Sequence, residues 1–185
     1  MVHSESIQDQ SRAAQAAPAA TLWDVLKEDR RINGTLRPGF HAILMYRLGR
    51  WASERPIRRW PVLRLAAIMR FVVRNVYGIE LYWESDIGRR LYIAHQGTIA
   101  LHPLCRIGDD CVIRQGSTIG ASEELSPDEE APVLGNNVQV GAGAMVLGKI
   151  RIGDNVRIGP NAVVMTDVPS NSTVMAPPSR VVTWS

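Results

Sequence analysis

A six-residue period governs the C-terminal part of this 185-residue chain. From about residue 80 onward, a branched apolar residue or a cysteine occupies every sixth position within three successive blocks, and glycine often follows it. The blocks are Ile87, Ile93, Ile99 and Cys105; then, two residues out of phase, Ile107, Ile113 and Ile119; then Leu134, Val140, Val146, Ile152, Ile158 and Val164.

This period excludes the two simplest secondary structures. Six residues rotate an α-helix by about 600°, so the apolar positions would not share one helical face. A single strand of this length would exceed any normal sheet. A coil with three flat sides of six residues fits, because each branched residue then points inward and stacks on the residue one turn away. Small residues at the corners permit tight turns. The period therefore predicts a mainly β fold, a parallel β-helix of hexapeptide repeats.

The N-terminal part has a different pattern. Residues 1–20 are polar and rich in Ala, Gln and Ser, which predicts a disordered leader. Residues 21–79 predict a short helical region that starts near Thr21 and ends with an apolar helix reaching Tyr77. The β-helix domain then occupies residues 80–185. An acidic segment without apolar period, ASEELSPDEEAP at 121–132, predicts a loop that leaves the coil.

Charge leaves two interpretations of the helical region open. The net charge of +3 is too small to indicate a nucleic-acid partner. Between Met45 and Phe71, however, seven arginines stand against one acid, Glu54. This basic region is either a solvated face or subunit contact, or a surface that contacts an anionic membrane. Three arginines interrupt the apolar segment PVLRLAAIMRFVVRNVYGI, which argues against a membrane span. We expect a cytoplasmic protein, and the second interpretation would place it at the inner face of the cytoplasmic membrane.

The cysteines and histidines argue against disulfides and metals. Cys105 and Cys111 form neither a CxxC pair nor a disulfide framework, so we expect a reducing compartment and a packing role. His95 and His102 are the histidines of the predicted coil, too few for a three-histidine zinc site. His102 is expected at a corner or on the surface. His95, in the segment LYIAHQGTIALHP, is either a core residue paired with a carbonyl or a working base; the pattern alone leaves both open.

Four segments resemble the serine acetyltransferase branch of the hexapeptide-repeat acyltransferases. They are RPGFHAILMYRLGRW, DIGRRLYIAHQGTIALHPLCRIGDDCVIRQGSTIG, VGAGAMVLGKIRIGDNVRIGPNAVV and VPSNSTVMAPPSRVV. The resemblance implies a left-handed β-helix, a homotrimer with active sites between subunits, and acetyl-CoA as co-substrate with no metal. It implies that His95 is the general base in direct acetyl transfer. It also implies that acetyl-CoA contacts small corner residues, which are Gly120, Ala121, Gly141, Ala142, Gly159 and Pro160.

Departures from that branch concern the acceptor. Ala94 replaces an aspartate that orients the base, and Glu130 and Ala131 replace an arginine–histidine pair. A carboxylate acceptor needs a cation or a nest of N–H groups, and the acidic loop would repel it. We therefore expect a sugar hydroxyl as acceptor, as in exopolysaccharide or capsule acetyltransferases of the colanic acid type.

Two other hypotheses remain beside the sugar acetyltransferase. Serine O-acetylation for cysteine biosynthesis is the alternative activity, and a non-catalytic β-helix scaffold is the alternative class. For the orientation of His95 without the missing aspartate, we expect a backbone carbonyl or one of two acids, Glu84 and Asp86.

Overall fold

The structure is a computed structural model that describes residues 20–122 and 131–183. The expected leader, apart from Ala20, and the central part of the acidic segment, including Glu130, lie outside the described residues. Three helices come first: α1 (Leu22–Asn33), α2 (Pro38–Ser53) and α3 (Trp60–Tyr77). Short parallel strands follow from Ile79 onward.

Local sequence signals set the helix ends. A capping box starts α1, because the Thr21 hydroxyl accepts from the Asp24 N–H and the Asp24 carboxylate accepts from the Thr21 N–H. These hydrogen bonds hold the pKa of Asp24 below its usual value. A proline lies in the first turn of both α2 and α3, where its missing N–H costs no hydrogen bond. Gly78 ends α3 in the left-handed conformation, with φ of 64°.

Within the described residues, fourteen strands form three parallel sheets. Sheet 1 holds β1 (Ile79–Glu80), β4 (Ile99–Leu101), β7 (Thr118–Gly120), β10 (Met145–Leu147) and β13 (Val163–Val164). Sheet 2 holds β2 (Asp86–Ile87), β5 (Arg106–Ile107), β8 (Val133–Leu134) and β11 (Arg151–Ile152). Sheet 3 holds β3 (Tyr92–Ile93), β6 (Val112–Ile113), β9 (Gln139–Val140), β12 (Arg157–Ile158) and β14 (Thr173–Val174). The chain visits sheets 1, 2 and 3 in turn, and the predicted left-handed parallel β-helix is confirmed.

The period marks the interior of the coil. Every predicted repeat position except Cys105 lies in a strand, and all of them, Cys105 included, are buried. The strand register stacks equivalent residues of successive coils: Ile93 pairs with Ile113, which pairs with Val140, which pairs with Ile158. The core is therefore a set of branched side chains layered along the coil axis.

All large departures from the six-residue spacing fall at one corner. The corners are named by the sheets they join: corner 1–2, corner 2–3 and corner 3–1. At corner 1–2, eight residues separate Ile99 from Ile107, and fifteen separate Ile119 from Leu134. The two-residue phase shift in the sequence is thus a wider corner, and the connection that contains the acidic segment begins at this same corner, one coil further on.

The helical region caps the first coil. A strand edge exposes unpaired backbone groups, and side chains of α1 and α2 pair with them. The Asn33 amide donates to Leu91 O at 2.8 Å and accepts from Ile93 N at 3.0 Å. The Tyr46 hydroxyl donates to Ser85 O at 3.0 Å and accepts from Ile87 N at 2.9 Å. These contacts fix the helices against β2 and β3.

A buried ion pair joins the same elements. Arg47 donates to the Asp29 carboxylate at 2.9 Å and to Ile87 O at 2.8 Å. Asp29 is fully buried, and burial raises its pKa while Arg47 opposes that shift. The pair therefore links α1 and α2 to the coil.

Most of α3 lies exposed. Ala66 and Val73 are its buried residues, whereas Leu65, Ile68 and Phe71 are 51%, 65% and 70% exposed. None of the helices within residues 20–122 and 131–183 is long and apolar enough to cross a membrane.

Candidate active site

His95 lies at corner 3–1 of the first coil, directly after β3. Its neighbours in the turn, Gly97 and Thr98, have φ of +107° and +51°, and glycine adopts the first of these values without strain. The imidazole is exposed, unlike that of a core histidine. The side chain is therefore accessible to a ligand.

A groove of about 310 Å³ runs beside this histidine. Its walls come from corner 3–1 and from the start of α2, and its lining residues are Arg37, Pro38, Gly39, Ile93, Ala94, His95 and Gln96. A Cβ atom on Gly39 would lie 2.6 Å from Ile93 O, so only glycine lets α2 approach β3 this closely. The site thus depends on the docking of the helical region.

Arg37 is the residue of this groove that sequence reasoning missed. It is the N-cap of α2, and its guanidinium donates to the Tyr92 hydroxyl at 3.4 Å. The only signal was its place beside the Pro38–Gly39 helix start. Nothing in the sequence pattern brings residue 37 to residue 95, because that proximity arises from the packing of Gly39 and Asn33 on β3.

The expected orienting group for His95 is wrong for the single chain. Among the described residues, no hydrogen bond joins the imidazole to Glu84, Asp86 or a backbone carbonyl. Glu84 lies at corner 1–2 and Asp86 begins β2 in sheet 2, whereas His95 lies at corner 3–1. Ala94 also lines the groove and supplies no polar group.

The predicted acetyl-CoA residues divide between two corners. Gly141, Ala142, Gly159 and Pro160 lie at corner 3–1, and the strand register places Ala142 and Pro160 in one column with His95. At about 4.8 Å per coil, they lie roughly 10 to 15 Å along the axis from His95. Gly120 ends β7 in sheet 1, and Ala121 follows it at the start of corner 1–2, so both lie across sheet 1 from corner 3–1.

The three glycines among the predicted acetyl-CoA contacts differ in whether coil packing itself requires a residue without a side chain. A Cβ on Gly141 would lie 2.6 Å from the backbone of Gly159, and one on Gly159 would lie 3.2 Å from Val174 O. Coil stacking explains both. A Cβ on Gly120 would meet nothing closer than 4.0 Å, and its φ is not positive. Coil stacking therefore does not require glycine at position 120, although the residue is buried.

Three further residues considered in the sequence, His102, Cys105 and Cys111, lie away from the groove. His102 is at corner 1–2, where its Nδ1 accepts from the Leu104 N–H at 3.2 Å. Cys105 and Cys111 are buried, and burial raises the pKa of their thiols to about 12 and about 11. Two cations of the coil lie elsewhere: Arg114 is beside Ala94 in the strand register at corner 3–1, and Lys149 is near corner 1–2.

Known proteins share both the sequence and this architecture. Residues 131–165 match the family model described as "Bacterial transferase hexapeptide (six repeats)". Serine acetyltransferase from Helicobacter pylori (strain ATCC 700392 / 26695) is 39% identical over 141 residues, which are 75% of this chain and 74% of that protein. The chain belongs to the hexapeptide-repeat acyltransferase family. Serine acetyltransferase from Synechococcus elongatus is 39% identical over 78% of this chain and 57% of its own length.

Solved structures extend the likeness. Serine acetyltransferase from Neisseria gonorrhoeae is 26% identical, with a TM-score of 0.70 over 88% of this chain and 64% of that one. The soybean serine acetyltransferase apoenzyme is 25% identical, with a TM-score of 0.68 over 85% of this chain and 65% of that one. The chain thus spans just under two-thirds of the length of these two structures.

The expected sugar acceptor is wrong, and the expected closeness to exopolysaccharide acetyltransferases finds no support among these relatives. The relatives of this acyltransferase reported above are serine acetyltransferases. A sugar was expected because the sequence shows no cation that offsets the acidic loop, but Arg37 lines the same groove as His95.

Proposed function

We propose that this chain is a serine O-acetyltransferase that uses acetyl-CoA as donor. The observation that carries the proposal is the groove in which His95 and the Arg37 cation stand together. The groove is lined both by a base for the serine hydroxyl and by a positive charge for the serine carboxylate. The serine acetyltransferase relatives support the same acceptor.

His95 acts as general base. Its neutral imidazole accepts the proton of the serine hydroxyl as that oxygen attacks the thioester carbonyl of acetyl-CoA. The new C–O bond forms, the C–S bond breaks, and the imidazolium returns its proton to the departing CoA sulfur. O-acetylserine and CoA thiol are the products, and the histidine ends in its starting state.

The active unit is a homotrimer, with acetyl-CoA bound between neighbouring copies. Support comes from the division of the predicted contacts between corners 3–1 and 1–2, which sheet 1 separates within one chain. Cyclic symmetry would bring one corner of each copy against the other corner of its neighbour. Gly120 and Ala121 of one copy then face Gly141, Ala142, Gly159 and Pro160 of the next.

We also propose that the arginine-rich part of the helical region, between Met45 and Phe71, makes peripheral contact with an anionic membrane surface. The exposed apolar residues of α3 and the exposed Arg55, Arg58 and Arg64 support it.

Thiol release from acetyl-CoA in the presence of L-serine tests the activity. His95→Ala should lower kcat/KM by about 10²- to 10⁴-fold, the usual contribution of a general base. His41→Gln is the matched control, because His41 contacts Thr35 and Tyr77 rather than the groove. Absence of serine-dependent thiol release, or full turnover by His95→Ala, would overturn the proposal.

A further inference from the structure

We propose that Arg37 binds the carboxylate of the acceptor, which makes this site selective for short 3-hydroxy carboxylic acids. The inference rests on the proposed serine O-acetyltransferase activity. It assigns the acceptor's negative end to a residue of the helical region, outside the hexapeptide repeats.

The position of Arg37 is held from two sides. As the N-cap of α2 it has an extended backbone, with φ of −87° and ψ of 141°, and Pro38 follows at once. Its Nη1 donates to the hydroxyl of Tyr92, which stands on β3 three residues before His95. The Arg37 cation thus contacts β3, the His95 imidazole lies two residues beyond the end of β3, and both residues line the same groove.

The charge of Arg37 is available to a ligand. Among the residues that the structure describes, no carboxylate forms an ion pair with it, and none lines the groove. A guanidinium is always charged and presents several N–H donors in a planar fork, which matches the two oxygens of a carboxylate. One contact to Tyr92 leaves the other donors of this fork for the acceptor.

Two further features favour a small anion in this groove. The start of α2 faces it, so the positive end of the helix dipole adds to the charge of Arg37. Its volume of about 310 Å³ is at the lower end of the range for small-molecule sites. An acceptor that spans from Arg37 to His95 presents its carboxylate at one end and its hydroxyl at the other.

Steady-state kinetics with two acceptors test this assignment. L-Serine carries the carboxylate, whereas L-serinamide keeps the hydroxyl and the amine but has no negative charge. Arg37→Met should raise the KM for L-serine about 10- to 100-fold, the effect of losing a charge-assisted contact. The KM for acetyl-CoA and the kcat at saturating L-serine should change less than about threefold, because His95 is untouched.

Three other variants test the role of Arg37 more closely. Arg37→Lys keeps the charge without the fork, so its KM should fall between those of the wild type and Arg37→Met. Tyr92→Phe removes the hydroxyl that holds Arg37 and should raise the KM by a smaller factor. Arg31→Met, at an exposed arginine of α1 outside the groove, should match the wild type.

The ratio of kcat/KM for L-serine to that for L-serinamide separates the outcomes. The wild type should favour L-serine at least tenfold, and Arg37→Met should bring the two acceptors close to parity. An unchanged ratio in Arg37→Met, with the wild type still active on L-serine, would refute the role of Arg37 and leave the proposed activity standing. No acetylation of L-serine by the wild type would refute both.

Discussion

At the scale of single residues, the buried Tyr46 makes hydrogen bonds that its apolar neighbours cannot make. Its hydroxyl joins the Ser85 carbonyl and the Ile87 N–H, two backbone groups at the open edge of the first coil. Removing it leaves the Ile87 N–H without a protein partner and leaves the Ser85 carbonyl with a single 3.4 Å contact from Arg50. The phenol is buried, and burial raises its pKa above 10.

Tyr46→Phe should therefore lower the free energy of unfolding by about 1 to 3 kcal/mol, the cost of unsatisfied buried polar groups. Urea unfolding followed by tryptophan fluorescence measures it. Tyr77→Phe is the control, because Tyr77 contacts only the His41 ring through its hydroxyl in the described structure and should lose less.

The same phenol has a pH effect whose sign follows from its raised pKa. The folded chain holds the Tyr46 proton more tightly than the unfolded chain does. Its contribution to stability is complete below about pH 10 and declines as the pH rises through the folded-state pKa. The stability difference between wild type and Tyr46→Phe should accordingly shrink above pH 10; a difference that grows there would contradict this account.

Site residues differed in how far sequence could predict them. His95 stands at a fixed offset from Ile93 and Ile99 in a recognisable repeat, so its corner position follows from the period. Arg37 carries no such signal, because its place beside His95 depends on how a helix docks onto a strand edge. Gly39 and Asn33 set that docking through contacts with Ile93, and a one-dimensional pattern does not contain them.

At the scale of elements, α3 exposes large apolar side chains to solvent. Ile68 and Phe71 are exposed on a helix whose neighbourhood is rich in arginine. Apolar side chains beside arginines are typical of helices that lie in the surface of an anionic bilayer.

Co-sedimentation with vesicles measures this contact. Wild-type protein should pellet with phosphatidylglycerol vesicles at low salt and much less in high salt, since salt screens the arginines. Ile68→Glu and Phe71→Glu should each weaken binding, and Val163→Glu, on an exposed strand position of the last coil, should not. If vesicles capture no protein while Phe71→Glu reduces the oligomer's mass, a second copy covers the face instead.

The elements also show which part of a solenoid a sequence reveals. Inward residues such as Ile113 and Val140 repeat because each packs on its equivalent in the next coil, so the sequence records the stacking directly. The caps formed by Asn33 and Tyr46 occur once, at the end of the coil, and their polar side chains look like ordinary helix residues in the sequence.

At the scale of the whole molecule, the separation of the two corners has a consequence for mixed oligomers. If each active site takes His95 from one copy and Gly120 from its neighbour, two inactive variants can complement each other. Random trimers of His95→Ala and Gly120→Phe would have about a quarter of their interfaces intact, since each interface needs one suitable chain on each side.

Co-expression followed by a serine-dependent thiol assay should therefore recover roughly a quarter of wild-type activity from this pair. His95→Ala with Ala142→Phe is the matched control, because both positions lie at corner 3–1 of one copy and no mixed interface is intact. Equal recovery from both pairs would contradict a site built from two copies. Sedimentation equilibrium checks that the assembly is a trimer.

Corner 1–2 accommodates additional residues without interrupting the stack. Ile119 and Leu134 both remain in the core although fifteen residues separate them, and Ile107 and Leu134 still pair in register. Doubling the length of such a connection costs only about 0.6 kcal/mol. This corner is therefore a place where evolution or protein engineering can exchange one segment for another of different length and charge. The length and charge of the connection can change there while the layered interior, and the stability it provides, stay unchanged.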